Sequence, residues 1–202
     1  MNRTLTITLP GRLVTMAVTA FSLAAQAGDL PFATTTVDVD EAPHDEETPA
    51  AMVLRLAVAK AEAARVPPDD VVIGSDTEVV LDGRALGKPQ DRDDCLAMLE
   101  SLAGRVHTVL TGVALRGPHG TLTAISTTEV QFGDINRDEA LAYWQSGEPR
   151  DKAGAYAIQG LGGAFVERIA GSYSGVVGLP VFETAKLLGA VGIDILAPND
   201  DR

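Results

Sequence analysis

Aromatic residues and cysteines are scarce in this 202-residue chain. Phe, Trp and Tyr make up 4% of the sequence, so the core must be built mainly from the Ala, Val, Leu and Ile that dominate its 46% apolar fraction. The single cysteine, Cys95, excludes an intramolecular disulfide and fits a reducing compartment. We expect Cys95 inside a helix, as a small apolar residue. The three histidines show no metal-ligand spacing, which argues against a zinc site.

Basic residues are also few. The chain has 16 Lys and Arg against 28 Asp and Glu, a formal net charge of −12. A nucleic-acid-binding surface needs clustered Lys and Arg, so nucleic acid is not an expected partner. An acidic protein can still bind a polyanionic nucleotide where a few lysines and a divalent cation converge.

The N-terminus contains no apolar run long enough to span a membrane. Residues 1–28 carry two charges, Arg3 and Arg12, and residues 13–25 are mostly apolar. This run is too short and too polar for a membrane span, so we predict no membrane association. Two interpretations stay open: a secretory signal cleaved near Gly28, or a strand and an amphipathic helix that open the fold. We favour the second.

Strand and helix patterns mix without a strict repeat. Helices are predicted over residues 50–65, from Asp91 to Gly104, from Asn136 to Trp144 and over residues 180–188. Strands are predicted from Val71 and over residues 106–115, 121–132 and 165–169. We therefore predict an α/β fold with a mixed central sheet, helices on its faces and a cleft between two lobes. Its expected parts are a divergent N-terminal segment (1–28), one domain (29–190) and a C-terminal tail (191–202).

One segment combines a strand end with charged residues. The apolar strand of residues 72–81 contains Asp76, and Gly87-Lys88-Pro89 follows a turn at Asp82-Gly83. A carboxylate there can face a cleft, and a nearby lysine supplies the charge that a phosphate needs. The alternative is a surface hairpin with a solvated aspartate. On the preceding helix, Lys60 continues the apolar stripe, either extending to solvent at its edge or pointing into a cleft.

Two further segments complete a pattern. They are Glu148-Pro149-Arg150-Asp151-Lys152-Ala153-Gly154-Ala155-Tyr156-Ala157-Ile158-Gln159-Gly160 and Gly171-Ser172-Tyr173-Ser174-Gly175-Val176-Val177-Gly178-Leu179-Pro180. Together with Gly104-Arg105-Val106-His107, the chain closely resembles the Maf family of nucleoside triphosphate pyrophosphatases over about residues 29–190. The resemblance implies a cytoplasmic enzyme that binds a nucleoside triphosphate in a cleft and releases pyrophosphate. It also implies Mg²⁺ or Mn²⁺ as cofactor. Whether the protein forms a homodimer is left open.

The resemblance assigns catalytic roles to several residues. Asp76 matches the proton acceptor that activates water, and it is also a candidate metal ligand. Asp40 or Glu41 would complete the metal site, unless the acidic segment around them is simply a solvated loop. Lys60 and Lys88 would face the phosphates as compact positive charges.

Four other residues are candidates for substrate binding. Lys152 either contacts substrate or forms an ion pair with the neighbouring Asp151, and Ser172 either donates to phosphate or holds its loop. Thr77 and Gln159 match the family branch that acts on dTTP and UTP, rather than the branch that acts on 7-methyl-GTP. A glutamine amide offers both a donor and an acceptor to a pyrimidine edge.

The N-terminus departs from the family pattern. The family has Ser-x-Ser-Pro-Arg-Arg after its first strand, and this cluster should fall near residues 15–20. The sequence there is Thr15-Met16-Ala17-Val18-Thr19-Ala20, which contains no arginine. Two functions therefore stay open: an active pyrophosphatase that removes unwanted nucleotides, and a catalytically weak nucleotide-binding protein with a regulatory role in cell division.

Overall fold

A computed structural model describes residues 37–67 and 69–195, together with the backbone of three N-terminal strands. In this described part of the chain, eight strands lie in one sheet: β1 Thr4–Leu9, β2 Arg12–Ala17, β3 Phe32–Thr34, β4 Val71–Leu81, β5 Arg84–Ala85, β6 Val106–Gly117, β7 Gly120–Phe132 and β8 Val166–Ala170. β2 pairs parallel to β3 and β4, whereas β4, β6, β7 and β8 pair antiparallel in that order. The predicted mixed sheet is confirmed.

Within residues 37–67 and 69–195, five α-helices flank the sheet. They are α1 Pro49–Ala63, α2 Arg92–Leu102, α3 Arg137–Gln145, α4 Tyr173–Val177 and α5 Val181–Ala190. The Thr48 side chain accepts from the N–H of Ala51 at the start of α1, as its sequence predicts. Cys95 is buried within α2, and burial raises the pKa of its thiol to about 11. In the described part of the chain, every helix is too short or too polar to cross a membrane.

Two glycines fix the position of α1 against the sheet. A Cβ on Gly74 of β4 would lie 2.2 Å from the carbonyl oxygen of Ala57, and one on Gly112 of β6 would lie 2.4 Å from that of Val53. Both carbonyls belong to α1, so any larger residue would push the helix away from the sheet. This close approach brings Lys60, near the end of α1, to the level of Asp76.

The pairing of β4 leaves a gap along one edge. On that edge β2 pairs with β4 as far as Gly74, and β5 begins to pair at Val80. The opposite edge of β4 pairs with β6 throughout residues 72–80. Among the described residues, residues 75–78 of β4 therefore lie between two strand pairings on this edge.

The N-terminal predictions are only partly covered. The strand that opens the fold is present as β2, next to β4, and β1 pairs antiparallel to it. The predicted amphipathic helix, whose end the resemblance puts at residues 22–28, lies outside the described part of the chain, as does most of the C-terminal tail. Helix α4 was not predicted, because its glycine- and serine-rich sequence is typical of a loop.

Candidate active site

A cleft of about 350 Å³ lies along the gap in β4. Successive residues of a strand point to opposite faces, so Asp76 and Glu78 face α1 and Thr77 faces α4. All three line the cleft, which is closed by residues of α1, of the loop 151–159 and of α4. The cleft thus has one charged side and one side of hydroxyl, amide and apolar groups.

Lys60 is the centre of the charged side. Lys60 is only 3% exposed. Its Nζ lies 2.5 Å from Oδ1 of Asp76 and 2.8 Å from Oε1 of Glu41. Burial opposes the ammonium charge, but these two carboxylates outweigh burial and raise the pKa of Lys60. Lys60 therefore stays charged and points into the cleft, and the alternative of a lysine extending to solvent is wrong.

Glu41 bridges two lysines. Its second oxygen, Oε2, accepts from Nζ of Lys88 at 3.1 Å, and the Lys88 side chain is 46% exposed at the cleft mouth. Burial would raise the pKa of Glu41, but the hydrogen bonds and charges of Lys60 and Lys88 lower it to about 2. The acidic segment is therefore not simply a solvated loop at this residue, and Glu41 holds both lysines at the cleft.

Asp76 is buried, so the alternative of a solvated aspartate in a surface hairpin is wrong. Burial raises the pKa of its carboxyl, and the ammonium of Lys60 opposes that rise. Oδ1 contacts Lys60, whereas Oδ2 is buried with no hydrogen-bond partner among the described residues. One oxygen of Asp76 is thus fixed and the other keeps its lone pairs.

Glu78 was missed by the sequence interpretation. It is 9% exposed, and its Oε2 is buried without a hydrogen-bond partner among the described residues. Burial and the neighbouring charge of Asp76 raise the pKa of Glu78 to about 7. The strand period was the available signal, because a residue two positions after Asp76 must lie on the same face.

A chain of hydrogen bonds orients Thr77 on the other side of the cleft. Its hydroxyl lies 3.0 Å from that of Thr111, which donates to the carbonyl oxygen of Gly175 at 2.8 Å. A hydroxyl has one proton, so Thr111 must accept from Thr77. Thr77 therefore keeps only acceptor capacity for other groups. Gln159, which is exposed, lines the same side of the cleft.

Glu148 supports the loop that carries Gln159. Its carboxylate accepts from the Tyr143 hydroxyl at 2.8 Å and from the backbone N–H groups of Leu161 and Gly162 at 2.9 and 3.0 Å. Burial would raise the pKa of Glu148, but these hydrogen bonds outweigh it and lower the pKa. These contacts fix the segment that follows Gln159 and leads into β8.

Three predicted site residues have other contacts. Lys152 lines the cleft, and its Nζ forms an ion pair with Asp151 at 2.7 Å. Ser172 caps α4 by accepting from the N–H of Gly175 at 2.9 Å, and it is not among the residues that line the cleft. Asp40 is exposed away from the cleft, where its carboxylate accepts from the N–H of Ala42.

The charged side of the cleft has donors suited to a hard divalent cation. Across residues 37–67 and 69–195, no three His, Cys, Asp or Glu side chains are grouped as a complete metal site. Two buried carboxylate oxygens, on Asp76 and Glu78, nevertheless have no hydrogen-bond partner there. Mg²⁺ commonly takes one or two carboxylates and completes its coordination with water and substrate phosphates. The residues present therefore fit such an ion.

The fold and the site define an α/β protein that has a buried acid and a buried lysine in a cleft at a gap in its mixed sheet. The family model described as "Maf-like protein" matches residues 22–191 of this chain. The chain therefore belongs to the Maf-like protein family. The resemblance seen in its motifs is confirmed.

Curated relatives cover most of the chain. A protein of Methylobacillus flagellatus named dTTP/UTP pyrophosphatase is 51% identical over 166 residues, which are 81% of this chain and 83% of the relative. One of the same name from Shewanella denitrificans is 50% identical over 84% of this chain and 89% of its own length. A third, from Saccharophagus degradans, is 47% identical over 87% of both chains.

Proposed function

We propose that this protein is a nucleoside triphosphate pyrophosphatase that hydrolyses dTTP and UTP to the monophosphate and pyrophosphate. The observation that carries the proposal is the buried pair of Asp76 and Lys60, which faces the same cleft as Thr77 and Gln159. The shared name of the relatives supports both the reaction and the substrates. The domain of residues 29–190 would carry this activity, and its cellular role would be to remove unwanted nucleotides.

Asp76 is the proposed general base. Its Oδ1 is held by Lys60, and its Oδ2 has lone pairs available for a water proton. The water oxygen would bond to the α-phosphorus as the bond from that phosphorus to the bridging oxygen breaks. The water proton passes to Asp76 and pyrophosphate leaves with the electron pair. Lys60 and Lys88 would offset the charge on the phosphates.

The hydroxyl and amide side of the cleft would select the base. Thr77 can only accept, because its own proton is donated to Thr111. Uracil and thymine carry an N–H donor at ring position 3, where cytosine carries an acceptor. An oriented acceptor at Thr77 would therefore favour UTP and dTTP over CTP, and the amide of Gln159 can pair with a carbonyl of the base.

A divalent cation, Mg²⁺ or Mn²⁺, is the proposed cofactor. Asp76 is the favoured metal ligand, because the family resemblance points to it and because its Oδ2 has no hydrogen-bond partner among the described residues. When bound, such an ion would neutralise charge on the phosphate oxygens. The buried free thiol of Cys95 supports a reducing compartment, and we propose the cytoplasm.

The test is a panel of nucleotides with Mg²⁺ or Mn²⁺, in which the products are separated by chromatography. We expect UTP and dTTP to give monophosphate and pyrophosphate faster than CTP, GTP and 7-methyl-GTP do. Orthophosphate as the first product would contradict the proposed reaction. A preference for GTP or 7-methyl-GTP would contradict the proposed substrates.

The absence of arginine from residues 15–20 favours a second candidate function. Arginine binds phosphate in a bidentate manner, so its absence would lower the affinity for the triphosphate. The protein would then bind nucleotides with little turnover and act as a regulator. Binding of UTP without release of pyrophosphate, in the presence of either cation, would favour this alternative.

A further inference from the structure

Two buried carboxylate oxygens in the cleft have no hydrogen-bond partner in the described structure. They are Oδ2 of Asp76 and Oε2 of Glu78, on residues that are 8% and 9% exposed. The other oxygen of Asp76 contacts Lys60, and Glu78 accepts from the backbone N–H of Gly87. A buried carboxylate oxygen that lacks a partner is still unfavourable, because it loses its hydration without compensation. Two such groups side by side also repel each other. Their joint presence indicates a missing positive partner.

The strand geometry places the side chains that carry these two oxygens on one face of β4. Asp76 and Glu78 are two positions apart in β4, so they lie on the same face with Cα atoms roughly 6.5 Å apart. Both line the cleft. Lys60 contacts Oδ1 of Asp76, on the α1 side, and leaves Oδ2 for another partner. A single cation between the two carboxylates would satisfy both unpaired oxygens and remove their repulsion.

We propose that Glu78 is a metal ligand, which binds one divalent cation together with Asp76. The inference rests on the proposed function, since the nucleotide phosphates and water would supply the remaining ligands. Mg²⁺ sites in phosphate-transferring enzymes commonly have only one or two protein carboxylates. A site with two is consistent with the absence of a three-residue metal group from the described residues.

The other acidic candidates are less suited to this role. The two oxygens of Glu41 contact Lys60 and Lys88, and ligation by Glu41 would have to displace one of these lysines. Asp40 does not line the cleft. Asp76 can ligate the ion and still accept a proton, because each carboxylate oxygen carries two lone pairs. Glu78 therefore replaces Asp40 and Glu41 as the second protein ligand.

Direct measurement of Mn²⁺ binding tests the proposal without relying on turnover. Free Mn²⁺ would be followed by electron paramagnetic resonance as the full-length protein is titrated, with and without a UTP analogue that cannot be cleaved between the α and β phosphates. We expect Glu78→Gln and Asp76→Asn each to weaken Mn²⁺ binding at least tenfold. Asp151→Asn is the matched control, since it removes one exposed charge at the same cleft, and its affinity should stay within twofold.

A second variant guards against a folding defect. Glu78→Val places a β-branched apolar residue at a buried strand position, so its melting temperature should equal or exceed that of the parent while Mn²⁺ binding falls as in Glu78→Gln. Folded Glu78 variants that bind Mn²⁺ as tightly as the parent would overturn the inference. If the parent binds Mn²⁺ through Glu78 but does not hydrolyse UTP, the inference stands and the proposed function fails. If the parent hydrolyses UTP and the variants keep their affinity, only the inference fails.

Discussion

The hydroxyl groups of Thr77 and Thr111 lie 3.0 Å apart, on residues that are direct partners across strands β4 and β6. Because Thr111 donates to Gly175, it fixes the direction of the Thr77 proton. In Thr111→Val, Thr77 can rotate and donate into the cleft. We expect the preference for UTP over CTP, measured as the ratio of kcat/KM values, to fall by about fivefold, which corresponds to about 1 kcal/mol for one hydrogen bond.

Two control variants separate this effect from a general loss of packing. Thr111→Ser keeps the hydroxyl and should retain the parental preference. Thr108→Val changes a partly buried threonine on the opposite face of the same strand and should do the same. A parental UTP/CTP ratio in Thr111→Val would show that Thr77 does not read the base through an oriented acceptor.

Asp76→Asn should abolish most turnover. The amide keeps the shape of the carboxylate but cannot accept the water proton, and loss of a general base typically lowers kcat by about 10²–10⁴-fold. Nucleotide binding in the absence of divalent cations, measured by calorimetry, should persist, because Lys60 remains held by Glu41. Turnover within about threefold of the parent would mean that Asp76 has only a structural role.

Glu148→Ala should impair substrate binding more than the chemical step. The variant leaves the N–H groups of Leu161 and Gly162 without their acceptor and loosens the loop that carries Gln159. We expect KM for UTP to rise roughly five- to tenfold, with a smaller change in kcat. Glu167→Ala, at an exposed glutamate of β8, is the control and should leave both parameters unchanged. An equal effect in both variants would contradict a specific anchor.

Local patterns predicted the elements of the fold well. Thr48, Asp91 and Asn136 each cap a helix, as predicted, because the capping interaction involves residues only two or three positions apart. The hairpin of β6 and β7 was also predicted from β-branched strands on either side of a short turn. Helix α4 was missed, because its stability depends on contacts with distant strands, such as the hydrogen bond from Thr111 to Gly175.

The site was predicted only in part, because sequence motifs identify residues but not their surroundings. The motif around Asp76 did not reveal that Lys60 is buried against it, since that contact depends on Gly74 and Gly112 admitting α1. The strand period places Glu78 on the same face as Asp76, but only the folded cleft shows that its Oε2 is buried without a hydrogen-bond partner among the described residues.

His107 should make the protein sensitive to mild acid. It is 2% exposed and its Nε2 pairs with the Tyr156 hydroxyl, and burial lowers the pKa of His107 to about 4. The unfolded chain takes up a proton below about pH 6.5, but the folded chain does so only near pH 4. The contribution of His107 to the free energy of unfolding should therefore be complete above about pH 6.5. The free energy of unfolding should then fall by up to about 3 kcal/mol as the pH drops to 4.

Urea denaturation between pH 4 and 7 measures this effect. His107→Gln can still pair with Tyr156 but does not titrate, so its stability should depend less on pH across that interval. His119→Gln removes an exposed histidine from the β6–β7 turn and should retain the parental slope. Identical slopes for His107→Gln and the parent would exclude His107 as the responsible group.

The missing arginines lead to a gain-of-function prediction. Ala17 ends β2 opposite Gly74, which lies two residues before Asp76 in β4. Ala17→Ser, Val18→Pro, Thr19→Arg and Ala20→Arg together restore the Ser-Pro-Arg-Arg sequence, although positions 18–20 lie outside the described residues. Each charge-assisted phosphate contact contributes roughly 1.5–3 kcal/mol to binding of the substrate or transition state, which corresponds to about a tenfold to hundredfold change in affinity or rate. We expect kcat/KM for UTP to rise by at least tenfold.

A matched graft with glutamine at positions 19 and 20 tests whether charge is responsible. It introduces the same serine and proline but no guanidinium group, so it should leave kcat/KM at or below the parental value. The arginine graft should also steepen the dependence of the UTP KM on salt, since phosphate contacts by exposed cations are screened. If the parent is fully active and the arginine graft impairs it, another basic group already binds the phosphates. Lys88, half-exposed at the cleft mouth, would then be the first residue to substitute.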